Sequence, residues 1–178
     1  EQDAEAQAPA KKGKAAPTAR KFTPVARPEP KRPAKKKEEK KPAAAEREFN
    51  ALFIGLGRGE LLPYASFYLT GFLNEKPLAT LRADMAALRI TRAPNVYEPE
   101  DNIASLMEMM AGLIVGRFGT PADLDDQKTF FNKHLAPWAG HFFDDLTGAK
   151  NSILYAALGA VGKEFIEIER EGFRMTAG

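Results

Sequence analysis

Residues 97–114 read "YEPEDNIASLMEMMAGLI", three carboxylates and an amide around one proline, followed at once by an apolar stretch with helical spacing. Pro99 suits a first helical turn because its missing N–H is unpaired there in any helix, and Glu100 and Asp101 complement the positive end of the macrodipole. The pattern predicts a helix over residues 99–116. The same signature extends outward on both sides. Upstream, "NEKPLATLRADMAALRI" places Pro77 in a first turn and spaces Leu78, Leu81, Met85 and Leu88 along one face. Downstream, "TPADLDDQKTFFNKHL" offers Thr120 as a cap, Pro121 at the first position and acids in the first turn. "APWAGHFFDDL" and "SILYAALGAVGKEFIEIEREGF" predict two more helices, the last long and amphipathic. Near residue 50, "EREFNALFIGL" puts Phe49, Leu52 and Phe53 on one face, with Gly55 and Gly57 as stops, and "LLPYASFYLTGF" reads as a loop turning into a short aromatic helix. No sustained alternation of apolar and polar residues suggests strands. The expected fold is all-α, a compact helical bundle of about six helices.

The first 45 residues are of another kind. They hold seven of the thirteen prolines, and Phe22 and Val25 are their only apolar side chains larger than alanine. They carry 13 Lys and Arg against 6 Asp and Glu, whereas residues 46–178 carry 13 against 18. The overall charge of +2 therefore describes neither part. A Lys/Pro/Ala segment of this kind buries too little apolar surface to offset the ~1–2 kcal/mol per residue of backbone ordering, so residues 1–45 are expected to be a disordered basic tail and residues 46–178 the folded domain. Such a tail could serve as a linker or as an electrostatic arm for nucleic acid or an anionic membrane. With Phe22 its one aromatic, base stacking has little support and nucleic acid is disfavoured. Glu1 stands where a starting Met would be, so the start is read as trimmed or the sequence as a fragment.

The absence of cysteine excludes disulfides, zinc–thiolate and iron–sulfur sites and a thiol nucleophile. The apolar runs fall short of the ~20 residues of a membrane span, and no leader peptide is visible, which together read as a cytoplasmic protein. His134 and His141 lack the spacing of a helical metal pair. "GLGRGE" follows a helix rather than a strand and lacks the phosphate-loop lysine. The pairs Asp125–Asp126 and Asp144–Asp145 read as solvated faces or helix starts. No nucleophile, base and oxyanion donor assemble, so neither catalysis nor a cofactor is expected. Tyr64, Phe67, Tyr68 and Phe72, with Trp138, Phe142 and Phe143, are read first as core, and secondly as walls of a peptide groove.

Three ordered blocks carry a family resemblance: "EREFNALFIGLGRGELLPYASFYLTGFLNEKPLATLRADMAAL", "EPEDNIASLMEMMAGLI" and "FFNKHLAPWAGHFFDDL". Over residues 46–173 the chain resembles the TorD-like (TorD/DmsD) chaperones. The resemblance implies an all-helical cytoplasmic protein without catalysis that binds the twin-arginine signal peptide, and often the body, of a molybdenum redox enzyme before export. The client it suggests is of formate dehydrogenase or dimethyl-sulfoxide-reductase type. The family signature is an acid, a proline, then Asp-His; Glu98, Pro99 and Asp101 match it, and Asn102 stands at the histidine. A receptor for a guanidinium pair and an apolar segment needs carboxylates beside aromatic walls. The expected peptide-binding set is therefore Glu60, Tyr64, Tyr68, Glu98, Pro99, Glu100, Asp101, Asn102 and Trp138, with Glu108 nearby. On this reading Asp101→Ala weakens client binding more than stability, and Asn102→His is neutral or improves it. The first family helices are apparently missing, and the resemblance then implies that the surface so exposed borrows a partner's helices or forms a domain-swapped homodimer. The alternatives are a basic-tailed adaptor for nucleic acid or anionic membrane, and a degenerate scaffold without a client.

Overall fold

The computed structural model describes residues 40–55 and 58–176. Most of the expected tail, residues 1–39, lies outside the described residues, as does Gly57. Among the described residues the elements are seven α-helices: α1 (Lys40–Phe49), α2 (Ala65–Thr70), α3 (Lys76–Ala87), α4 (Ile103–Ile114), α5 (Leu124–His134), α6 (Ala139–Gly148) and α7 (Leu154–Met175). Helix α1 starts at Lys40, before the boundary expected after residue 45, and runs into a π-helical turn, Asn50–Ile54. That turn closes when the N–H of Gly55, at φ 60°, donates to the Asn50 carbonyl at 2.7 Å. Gly55 is thus the stop that its sequence position predicts, in a backbone region that suits glycine. Among the described residues the sole β contact is an isolated antiparallel bridge between Tyr64 and Asn102.

Two helix starts differ from expectation, and side-chain caps explain both. Helix α4 begins at Ile103 rather than Pro99, because Asn102 takes an extended backbone and its side-chain oxygen accepts the N–H of Ala104 at 2.9 Å. Pro99, Glu100 and Asp101 therefore precede the helix and do not form its first turn. In α5 the cap is Asp123, which accepts the N–H of Asp126 at 2.9 Å, and not Thr120. Both are ordinary N-cap residues and fix the start where their geometry is satisfied.

The core follows the apolar periodicity. Leu81 and Met85 of α3 and Leu106, Met109, Met110 and Leu113 of α4 turn inward into one cluster with Phe131, Leu135, Trp138, Phe142 and Leu146, and Leu78 of α3 is buried as well. Each large side chain buried this way contributes roughly 1.5–3 kcal/mol. Helices α6 and α7 pack most closely, along Gly159 and Gly162. A methyl group at Gly159 would stand 2.9 Å from the Phe143 carbonyl oxygen and 3.0 Å from the Thr147 nitrogen, and one at Gly162 would overlap the Phe143 ring. Glycine permits this approach because it adds nothing between the two backbones.

Candidate functional site

The site begins where two loops pair. The N–H of Ile103 donates to the Pro63 carbonyl at 2.9 Å, and that of Ala65 to the Asp101 carbonyl at 3.0 Å. This brings Tyr64 beside Asn102, and both reach the exposed Glu98. The Tyr64 hydroxyl and the Asn102 amide each donate to Glu98 Oε1 at 2.8 Å. Oε2 of Glu98 makes no hydrogen bond among the described residues. Burial first, then the hydrogen bond and charge of Glu98, push the Tyr64 phenol up to about 12, so it stays a donor. Asn102 does two jobs, its oxygen capping α4 while its nitrogen orients Glu98.

Beside this cluster opens an apolar groove of about 630 Å³. Ile103 and Met107 of α4 and Phe142, Phe143 and Leu146 of α6 line it, together with Phe49, Phe53 and Ile54 from α1 and its π turn. Tyr155, Leu158, Val161 and Phe165 of α7 complete the walls, and Glu98, Tyr64 and Asn102 supply its polar part. The groove thus joins an apolar trough to one carboxylate whose second oxygen has no hydrogen bond among the described residues, the combination that accepts a cationic head with an apolar body.

The other expected residues sit elsewhere. Pro99 is half-buried in the loop between Glu98 and α4. Glu100 is buried and accepts Arg82 Nε at 3.0 Å and Nη2 at 2.8 Å, with Arg92 at 3.6 Å. Burial would raise its carboxyl, but the hydrogen bonds of Arg82 and the charges of both arginines hold it below the usual value. Asp101 is 0% exposed, and its Oδ2 accepts the N–H of Ser66 at 2.7 Å, capping α2 rather than α4. Tyr68 is partly buried against Trp138 and Phe142, with ring centroids 5.3 and 6.0 Å away, and its hydroxyl donates to Asp145 at 2.8 Å. Trp138 is 1% exposed and donates its indole N–H to the His134 carbonyl at 2.7 Å. Glu60 accepts the backbone N–H of Lys150 at 2.7 Å and the Asn151 side chain at 2.9 Å, so it holds the turn between α6 and α7. Glu108 faces a second surface hollow, which Glu98 also lines, with Glu100, Arg92 and Arg117. Of the nine expected residues, then, Tyr64, Glu98 and Asn102 line the groove, while Asp101 and Trp138 are buried away from it.

Sequence reasoning did not place Phe49, Phe53, Tyr155, Leu158, Val161 and Phe165 in the site. A signal for the α7 residues was present: Leu154, Leu158, Val161, Phe165 and Ile168 recur at alternating steps of four and three, a second apolar stripe beside the buried one. His134 is buried, and its Nε2 lies 2.7 Å from Asp84 Oδ2, which Lys133 also meets at 2.6 Å. Burial lowers the His134 pKa and Asp84 offsets only part of this, so the contact is best described as a neutral imidazole donating to a carboxylate whose charge Lys133 balances. No group of three or more His, Cys, Asp or Glu side chains among the described residues could hold a metal ion.

The sequence profile of the nitrate reductase delta subunit family matches residues 6–144. The chaperone protein TorD of Vibrio cholerae serotype O1 is 29% identical over 130 residues, covering 69% of this chain and 59% of that protein. TorD of Aliivibrio fischeri is 28% identical over 130 residues, covering 68% and 60%, and TorD of Aliivibrio salmonicida is 30% identical over 131 residues with the same coverage. The chain spans about three-fifths of the length of these relatives. No solved structure gave a significant match. The profile takes in most of the chain, with the groove residues Ile103 and Met107 of α4 and Phe142 and Phe143 of α6: the chain belongs to the nitrate reductase delta subunit family and is TorD-like.

Proposed function

We propose that the chain is a cytoplasmic maturation chaperone for a molybdenum-containing redox enzyme, of formate dehydrogenase or dimethyl-sulfoxide-reductase type, and that its groove holds the twin-arginine signal peptide of that enzyme before export. The observation that carries this reading is Glu98. One of its oxygens is fixed by Tyr64 and Asn102 and the other has no hydrogen bond among the described residues, at the polar edge of an apolar trough of about 630 Å³. A carboxylate held in this way meets a guanidinium without first losing its own rotational freedom, and the trough then takes the apolar segment that follows the arginines. The TorD relatives support the chaperone part of the reading.

Calorimetric titration with a twin-arginine peptide, its Lys-Lys variant and the Glu98→Gln protein tests the assignment. Hydrogen bonds to charged groups contribute about 1.5–3 kcal/mol, so Glu98→Gln is expected to weaken the arginine peptide by about tenfold to a hundredfold. The Lys-Lys peptide, unable to present a planar fork, should bind more weakly than the arginine peptide to the unaltered protein. Equal affinity for the two peptides, or no binding of either, overturns the reading.

A further inference from the structure

Helix α7 shows two apolar faces. One holds Gly159, Gly162, Ile166 and Phe173 and is buried. The other holds Leu154, Leu158, Val161, Phe165, Ile168 and Met175, each between 42% and 76% exposed. These six fall on the a and d positions of a heptad, with Gly172 completing the series, and the stripe runs for about 32 Å at ~1.5 Å per residue. Patches of this continuity on a soluble surface mark interaction sites.

The charges beside the stripe select the partner. In this register the flanking e and g positions of α7 carry three charged residues, Glu164, Glu169 and Glu171, and all are acidic. Glu171 pairs with Arg174 at 2.7 Å, while Glu164 and Glu169 have no ion pair among the described residues. They stand on opposite sides of Phe165 and Ile168. A second copy of α7 lying parallel would bring Glu164 against Glu169 of its mate, the usual g-to-e contact, and an antiparallel copy would set glutamate against glutamate again. Like charges so placed disfavour self-pairing, and a helix with basic flanks meets both acids.

We propose that the outer stripe of α7 is a docking seam for an amphipathic helix of another polypeptide, one whose apolar heptad face is flanked by Lys or Arg. The seam shares Leu158, Val161 and Phe165 with the groove, but it goes beyond the signal-peptide reading, because it rests on Glu164, Glu169 and the stripe out to Met175 and makes no use of Glu98 or of an arginine pair.

A synthetic helix of three heptads with Leu at a and d and Lys at e and g tests this, paired with a twin that carries Glu at e and g. Fluorescence anisotropy is expected to show the Lys helix binding at least about tenfold more tightly than the Glu helix, with the difference shrinking as salt rises. The double variant Glu164→Lys, Glu169→Lys should reverse the order, and Glu164→Gln, Glu169→Gln should level it, each with an unchanged far-ultraviolet dichroism spectrum. Equal binding of both helices to the unaltered protein, or no reversal in the charge-swapped variant, overturns the seam. A dimer by light scattering that Ile168→Asp converts to monomer also overturns it and assigns the stripe to a second copy. The two proposals fail separately. A twin-arginine peptide that binds while the Lys helix does not removes the seam alone, and the converse removes only the signal-peptide reading.

Discussion

Asp101 and Glu98 are three positions apart on one loop, and the same negative charge does different work at each. Glu98 is exposed, with one oxygen shared by Tyr64 and Asn102 and the other without a hydrogen bond among the described residues. Asp101 is sealed in the interior, its Oδ2 on the N–H of Ser66 and its Oδ1 without a partner among the described residues. The two roles predict opposite behaviour on substitution. Asp101→Ala strands a helix-terminal N–H inside the protein and is expected to lower the unfolding free energy in urea by about 1–3 kcal/mol, with any change in peptide affinity smaller than the change in stability. That reverses the expectation drawn from the loop as a sequence. The sequence grouped "EPEDN" with Tyr64 in one expected set, and the structure places Tyr64 against Glu98 and Asn102. Which of the loop's acids faces solvent was not legible, because burial at Asp101 is decided by α2, 35 residues away. Trp138 repeats the point: read first as core and then carried into the peptide-binding set, it is buried, while the neighbouring Phe142 is core and also lines the groove.

At the scale of helices, apolar period located the core-facing stripes, and side-chain caps set the starts of α4 and α5. Leu78, Leu81 and Met85 were legible as a buried stripe because three-to-four spacing has one geometric meaning. The starts of α4 and α5 were less so, since "TPAD" and "EPEDN" each offer several residues able to cap and only the folded backbone selects one. The closeness of α6 to α7 was not legible at all; glycines in a helix read as defects until the neighbouring helix is seen against them. Gly159 gives the direct check. Alanine ordinarily stabilises a helix relative to glycine by about 0.8–1.0 kcal/mol. Here its methyl would press on the backbone of Phe143 and Thr147, so Gly159→Ala is expected to destabilise by about 1–3 kcal/mol in chemical denaturation. A gain in stability would show that the two helices separate freely.

For the molecule as a whole, acids far away in sequence finish the helices. Glu48 accepts the N–H of Ile153 at 2.7 Å and of Tyr155 at 2.8 Å, across 105 and 107 residues, and Glu60 holds Lys150 and Asn151 across 90 and 91. Partial desolvation would raise the Glu48 carboxyl, but these backbone donors outweigh it, and the Lys150 N–H with the Asn151 amide lowers that of Glu60. A carboxyl lower in the folded than in the unfolded state supplies stability above its ordinary value of 4.5 and loses it as pH falls through the folded value. Amide exchange at Ile153 and Tyr155 is therefore expected to accelerate in Glu48→Gln at neutral pH and, in the unaltered protein, as the medium is acidified below about 4.5. Unchanged protection in both would show that α7 holds its first turn unaided. These ties also impose an order in time. At ~5–20 residues per second a ribosome leaves Glu48 waiting about 5–20 s for the amides it will bind. Until the last helix has emerged, the nascent chain carries its apolar trough unroofed along one whole side and is, for that interval, itself in need of shelter.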